Sequence, residues 1–173
     1  MIWLKKVIIL LSVFILILSS AVFANQGLII SKDGFARILN NIGVAFYKEG
    51  KTNNAIILLQ DSIKIKNDYS KASYNLGLIY FEQKNFDKAI KNFQKTVQVE
   101  QNNANAHFDL AVAQVERFRG KESSNELTSA DLDDLKLAIE NYNKAIELNP
   151  QIPNAQSNVD IVKSVLDYYE NQN

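Results

Sequence analysis

Few residues in this chain could do chemistry. Cysteine is absent, which removes a thiolate nucleophile, a disulfide and a cysteine-ligated metal together. The one histidine, His107, has no nucleophile or second metal ligand at a working spacing, and is read as structural. The glycines form no phosphate-cradling loop. The acidic run Asp131-Asp133-Asp134 lacks the alternating oxygen ligands and turn glycine of a calcium loop, so it is read as charge at a helix start. No catalytic residue, no cofactor and no metal site is therefore expected, and the chain is not read as an enzyme. The residues that remain are suited to recognition. Asn41 and Asn75 carry amides, each of which both donates and accepts. Aromatic and aliphatic residues follow each at helical spacing.

The elements that must position them repeat. Asn41-Ile42-Gly43-Val44-Ala45-Phe46-Tyr47 is echoed by Asn75-Leu76-Gly77-Leu78-Ile79-Tyr80-Phe81, 34 positions later, and such a period fixes architecture before anything else. Apolar residues recur at helical spacing through Phe35, Ile38, Leu39, Ile42 and Phe46, break at Gly50, and resume at Ile56, Leu59 and Ile63. Tyr74, Leu76 and Tyr80, a turn at Lys84-Asn85, then Phe86, Ile90, Phe93 and Val97 repeat the pattern. Asp33 is expected to cap the first helix. Gly43 with Ala55, and Gly77 with Ala89, supply the small residues where paired helices approach to about 8–10 Å.

A third unit starts at Ala104, but Ala111 and Ala138 stand 27 positions apart where Gly77 and Ala89 stand 12 apart, so fifteen residues are inserted at about 119–133. Thr128 or Ser129 should cap the next helix, Leu132 and Leu135 extend its apolar stripe backwards, and a loop of roughly nine residues is left. Residues 153–173 read as a capping helix and tail.

Basic and acidic residues number 19 each; this balance excludes a nucleic-acid footprint. At the N-terminus, Lys5 and Lys6 precede an apolar run that closes on Val22-Phe23-Ala24. That order is a signal peptide, cut after Ala24, or an N-terminal membrane anchor; Val7 to Ala24 is 18 residues, at the short edge of a span. In both cases positive charge before the run leaves the remainder extracytoplasmic, whether periplasmic, cell-surface or secreted. Without Lys5 and Lys6 the exported part has two more acidic than basic side chains, so the membrane is met only through residues 7–24, if uncleaved. The lack of an Asn-x-Ser/Thr acceptor fits a prokaryotic source.

The 34-residue period, the apolar-Gly pairs Ile42-Gly43 and Leu76-Gly77, the aromatics Phe46 and Tyr80, and Leu59 and Phe93 in the second helices resemble the tetratricopeptide repeat. The closing proline of that repeat is Asn67 and Gln101 here and survives only at Pro150; its late small residue is Ser62 and Thr96. The resemblance implies an all-α fold: an α-solenoid of about three helix-turn-helix hairpins at 35–69, 70–103 and 104–152, preceded by 1–24 and a lead-in at 25–34. It also implies a concave groove lined by the first helices, at Arg37, Asn40, Asn41, Val44, Tyr47 and Lys48, then Lys71, Tyr74, Asn75, Leu78, Phe81 and Glu82, then Asn105, Phe108, Asp109, Val112 and Val115. Asn41 and Asn75 coincide with an asparagine that bonds ligand backbone in peptide-binding relatives, and Asp109 and Asn158 take that place in later units. The lysine, asparagine and arginine of a carboxylate clamp are replaced at Asn40, Val44, Asn105 and Asp109. The expected site is Asn41, Val44, Tyr47, Tyr74, Asn75, Leu78, Phe81, Phe108, Asp109 and Val112, and its ligand a protein or peptide with apolar character. Self-association as an assembly scaffold is the alternative.

Overall fold

The computed structural model describes residues 31–124 and 126–171. Among them seven α-helices succeed one another and no strand forms: α1 (Lys32–Lys48), α2 (Thr52–Ile65), α3 (Ser70–Glu82), α4 (Phe86–Val99), α5 (Ala104–Ser124), α6 (Ser129–Leu148) and α7 (Ala155–Glu170). The all-α solenoid is as the period implied. The export segment expected at 1–24 lies outside the described residues. So does most of the lead-in, although α1 begins at Lys32, inside it.

Three hairpins form, α1/α2, α3/α4 and α5/α6, and each hands on to the next through α2–α3 and α4–α5, with α7 closing on α6. The hairpins close where the chain places its smallest residues. Ala55 and Ala89 are fully buried, and at Gly77 a Cβ would stand 2.5 Å from the Phe93 ring. That distance is below contact, so only glycine lets α3 lie this close to α4. At Gly43 a Cβ would reach Leu59 Cγ at 3.0 Å, a tight but softer fit. Ser62, in place of the usual small residue, is buried and donates its hydroxyl to the Ala36 carbonyl at 2.7 Å, so the polar group binds the hairpin instead of weakening it.

The core has two parts. One gathers Leu59, Leu76, Ile79, Tyr80, Ile90 and Phe93 with Leu110 of α5. The other gathers Phe118, Leu135 and Tyr142 with Val159, Val162 and Leu166 of α7. The terminal helix is thus welded to the third hairpin by its own apolar stripe, as a solenoid end requires.

Two expectations are corrected. Asp33 does not cap α1; Ser31 does, with extended backbone (φ −61°, ψ 158°) and its Oγ accepting from Gly34 N at 3.1 Å. Asp33 instead sits in the first turn and pairs with Lys66 at 2.5 Å, a use of its charge that capping would have spent. The roughly nine-residue loop is not formed either. α5 runs on through the inserted stretch to Ser124 and α6 starts at Ser129, so only positions 125–128 separate them. Cross-helix pairs stabilise this added length: Arg117 forks onto Asp134, with Nε to Oδ2 at 2.8 Å, and Lys121 pairs with Asp131. Asp131 also accepts from the backbone N–H and hydroxyl of Thr128, at 2.8 and 2.6 Å, which bears out Thr128 as the start of the extended helix.

Candidate binding groove

Helical spacing brings positions one period apart onto a shared face of α1, α3, α5 and α7. On α1 and α3, Asn75 donates from Nδ2 to Asn40 Oδ1 at 2.8 Å, and Asn40 donates in turn to Asn41 Oδ1 at 3.1 Å. The two asparagines singled out from the repeat, Asn41 and Asn75, are therefore bridged by the buried Asn40. Beside them lies a small recess of about 240 Å³ lined by Asn40, Lys71, Tyr74, Asn75, Glu100 and Asn103, whose amides and charges suit a polar ligand backbone.

The tyrosines of this face bind one helix to the next. Tyr47 donates its hydroxyl to Glu82, and Tyr74 donates to Asp109 Oδ2 at 2.5 Å, both across 35 positions. The bond to the Glu82 carboxylate, with some burial, pushes the Tyr47 phenol up to about 12. Burial first, then the Asp109 carboxylate, raises that of Tyr74. Asp109 itself is raised by burial, against which the Tyr74 hydrogen bond works. Tyr47, Tyr74, Leu78 and Phe81 also pack against the first core, while Phe108 and Val112 pack against the second. Each is half-buried, with one side in core and one toward the groove; Val44 is half-buried too, and Asn41 is exposed.

Further along, the same face opens. Between α5 and α7 lies a cavity of about 440 Å³ floored by Val112, Val115, Phe118 and Leu135 on one side and Ile161, Val162 and Val165 on the other. Glu116, Arg119 and Glu122 stand at its rim, with Arg119 Nη1 paired to Glu116 at 2.9 Å. Its wall exists because α5 was lengthened: Tyr169 of α7 donates to Glu122 at 2.6 Å and stacks edge-on with Phe118 at 5.5 Å, and Lys136 pairs with Glu170 at 3.0 Å. Tyr142 is held beneath, its phenol pushed up to about 12 by burial, with Asn158 as its hydrogen-bond partner.

Of the ten expected site residues, Val112 alone lines this cavity. Those that α7 and the insertion contribute were missed: Ile161, Val165, Arg119 and Glu122. A signal for two of them was present, since Ile161, Val165 and Tyr168 make a second apolar stripe on α7 beside the core stripe Val159, Val162 and Leu166. One helix rarely carries two stripes unless both have work.

His107 is tied on both sides, by Nδ1 to Asn141 Oδ1 at 2.9 Å and Nε2 to the Gln101 carbonyl at 3.0 Å. This fits the structural role expected of it. Among the described residues no group of three or more acidic or histidine side chains could hold a metal ion, and no helix is long and apolar enough to cross a membrane.

Sequence profiles described as tetratricopeptide repeat match residues 36–69, 70–103 and 127–152. No curated protein matches the chain. Among solved structures, the first tetratricopeptide domain of Spaghetti (RPAP3), bound to the HSP90 peptide SRMEEVD, superposes with a TM-score of 0.64 at 19% identity, covering 80% of this chain and 98% of that one. The tetratricopeptide domain of Arabidopsis OM64 superposes at 0.63 and 19% identity, over 78% of this chain and 98% of its own. MamA of AMB-1 does so at 0.62 and 21%, over 79% and 66%. At these identities the likeness is one of fold.

Proposed function

The chain belongs to the tetratricopeptide-repeat family, and from that premise we propose that it is a non-catalytic module that holds a protein or peptide segment in the groove of its first helices, on the extracytoplasmic side of a membrane. The observation that carries the reading is the cavity between α5 and α7: apolar, open on the groove face, and lined by Ile161, which stays 58% exposed. An aliphatic or aromatic side chain of the ligand fills it. The recess at Asn40 and Asn75 receives ligand backbone. The ligand of RPAP3 is a peptide, which supports a peptide here; Asn40, Val44, Asn105 and Asp109 offer no cationic clamp for a terminal carboxylate.

Selection from a displayed peptide library tests this. Peptides enriched on the wild-type chain should carry apolar anchors and lose at least about tenfold in affinity against Val112→Asp combined with Ile161→Asp. Equal binding to a variant with unchanged helicity sinks the groove reading. The export address is supported by Lys5, Lys6 and the apolar run at 7–24; protease accessibility in intact cells and N-terminal sequencing of the native protein test it.

A second reading, self-association as an assembly scaffold, is favoured by Ile38 and Ile42, each 41% exposed on α1. Sedimentation of the purified protein decides it: a peptide receptor stays monomeric.

A further inference from the structure

Along α4, Lys88, Lys91 and Lys95 share one face, three and then four positions apart, over roughly 10 Å of helix. The matching positions are Asn54, Ile57 and Asp61 in α2, and Leu137, Glu140 and Lys144 in α6. Neither the period nor the closing of a hairpin therefore requires the row. Lys91 and Lys95, four apart, are a like-charge pair that costs the helix some stability. In a chain whose charges balance at 19 of each sign, a basic row that the fold does not use points to something outside it.

The row does not stand on a flat surface. α2 and α4 both pack on α3, and between them runs a trough of about 450 Å³, with Lys64 on its α2 wall and Ile63, Leu76 and Tyr80 as apolar lining. Among the described residues no acidic side chain lines it, and none of the groove residues reaches it. Most of the ammonium groups are steadied by neutral partners. Lys95 Nζ donates to Asn67 Oδ1 at 2.9 Å, and Lys88 Nζ lies 5.1 Å from the centre of the Tyr80 ring, whose hydroxyl accepts from Gln60 at 3.3 Å. Lys64 meets an acid, Asp61, at 2.7 Å, but the pair is solvated and weak. Lys91 makes no hydrogen bond or ion pair among the described residues.

We propose that this trough is a second binding site, for an acidic peptide segment of a partner protein. Its carboxylates meet Lys64, Lys88, Lys91 and Lys95, and an aliphatic or aromatic side chain between them rests on Ile63 and Tyr80. Charge and shape choose this occupant. A second copy of the chain is unsuited, because its exposed helical acids flank lysines of their own: Asp160 and Asp167 flank Lys163 on α7, and Glu140 and Glu147 flank Lys144 on α6. An anionic membrane surface is unsuited as well. Asp61 and Asp87 stand beside Lys64 and Lys88 along their helices and reach solvent, so a flat surface meets them along with the lysines. A narrow segment enters between the helices and avoids both. Exposed ion pairs are individually weak, so several act together here, and the apolar lining adds a contact that a simple anion does not make. The site lies on the second helices and is independent of what the groove binds.

A short fluorescent peptide with glutamates flanking a leucine is the probe, titrated against the full-length chain. It should bind the wild type and lose at least about tenfold in affinity against Lys88→Glu combined with Lys91→Glu. A charge-matched control, Lys32→Glu with Lys163→Glu, should bind within about twofold of wild type. An equal loss in the control would make net charge the cause and overturn the proposal. Glutamine in place of the glutamates should abolish binding, and serine in place of the leucine should weaken it several-fold; equal binding of either peptide refutes the site as described. Val112→Ser with Ile161→Ser should leave the affinity unchanged, whereas a loss there would put the peptide in the groove. Capture of phosphatidylglycerol vesicles without binding of the peptide would make a membrane the occupant and sink the proposal. Circular dichroism checks that every variant keeps its helices.

Discussion

Between α1 and α5 the groove face is bridged by its own side chains, Tyr47 on Glu82, Tyr74 on Asp109 and Asn75 on Asn40, which leave only a small polar recess. Between α5 and α7 it opens into an apolar cavity of about 440 Å³. Both halves are made from the same helical positions, so the difference lies in what the second helices do beneath them. In the regular units a short hairpin holds the first helices close enough for side chains to bridge. In the third unit fifteen extra residues lengthen both helices, and the lengthened helices hold α7 by its far end, through Tyr169 on Glu122 and Lys136 with Glu170. Where the repeat is kept the face is bridged by hydrogen bonds and leaves only the small polar recess beside Asn40; where it is broken the face opens into an apolar cavity with room for a side chain.

That contrast can be broken from beneath, and the largest effect should come from Phe93, fully buried against Gly77. Phe93→Ala should cost about 3–5 kcal/mol, read as a fall in thermal midpoint, and should loosen the regular half first in hydrogen exchange. A smaller loss, about 2–3 kcal/mol, is expected of Asp134→Ala, which leaves the part-buried Arg117 guanidinium with only the exposed Asp87. Its signature is local: α7 should gain exchange while α1 to α4 keep their protection, and ligand binding in the cavity should weaken. If both variants loosen the chain uniformly, the two halves are one cooperative unit and the contrast is only geometric.

The tyrosine ties should differ from each other. Tyr74→Phe strands the largely buried Asp109 carboxylate and should cost about 1–3 kcal/mol, whereas Tyr47→Phe frees a solvated Glu82 and should cost under about 1 kcal/mol. The smallest effect concerns pH. Burial raises the carboxyl of Asp109 in the folded chain, so the fold holds its proton more tightly than the unfolded chain does. Its contribution is fully present below the ordinary aspartate range and is lost as pH rises through the raised value. Asp109→Asn, which can still accept from Tyr74, should therefore be the more stable at neutral pH, by a margin that shrinks toward pH 4. A margin independent of pH would mean that Asp109 is not strained by burial.

The repeat itself was legible because close packing leaves a chemical trace: Gly43, Ala55, Gly77 and Ala89 had to be small for the hairpins to close. The start of the inserted helix was legible for a similar local reason, since a cap needs Thr128 and an acid three residues on. The first cap was misread because Ser31 and Asp33 are equally able caps in isolation, and only the position of Lys66, a full hairpin away, takes Asp33 out of contention. The length of α5 was misread because Gly120, Ser123 and Ser124 are poor helix formers, a local preference that the pairing of Lys121 with Asp131 outweighs.

By itself, then, the sequence determined the period, the helical class and the positions that must be small or apolar, all of which follow from short-range spacing along one chain. The tertiary structure decided which of those apolar positions are covered. Ile42 and Leu76 hold the same place in their repeats, and spacing alone cannot tell them apart. Among the described residues, Leu76 is buried and Ile42 half-exposed because a preceding hairpin packs on α3 and none packs on α1. Burial belongs to the neighbour as much as to the residue, and so do the open groove at one end of this solenoid and the open face at the other.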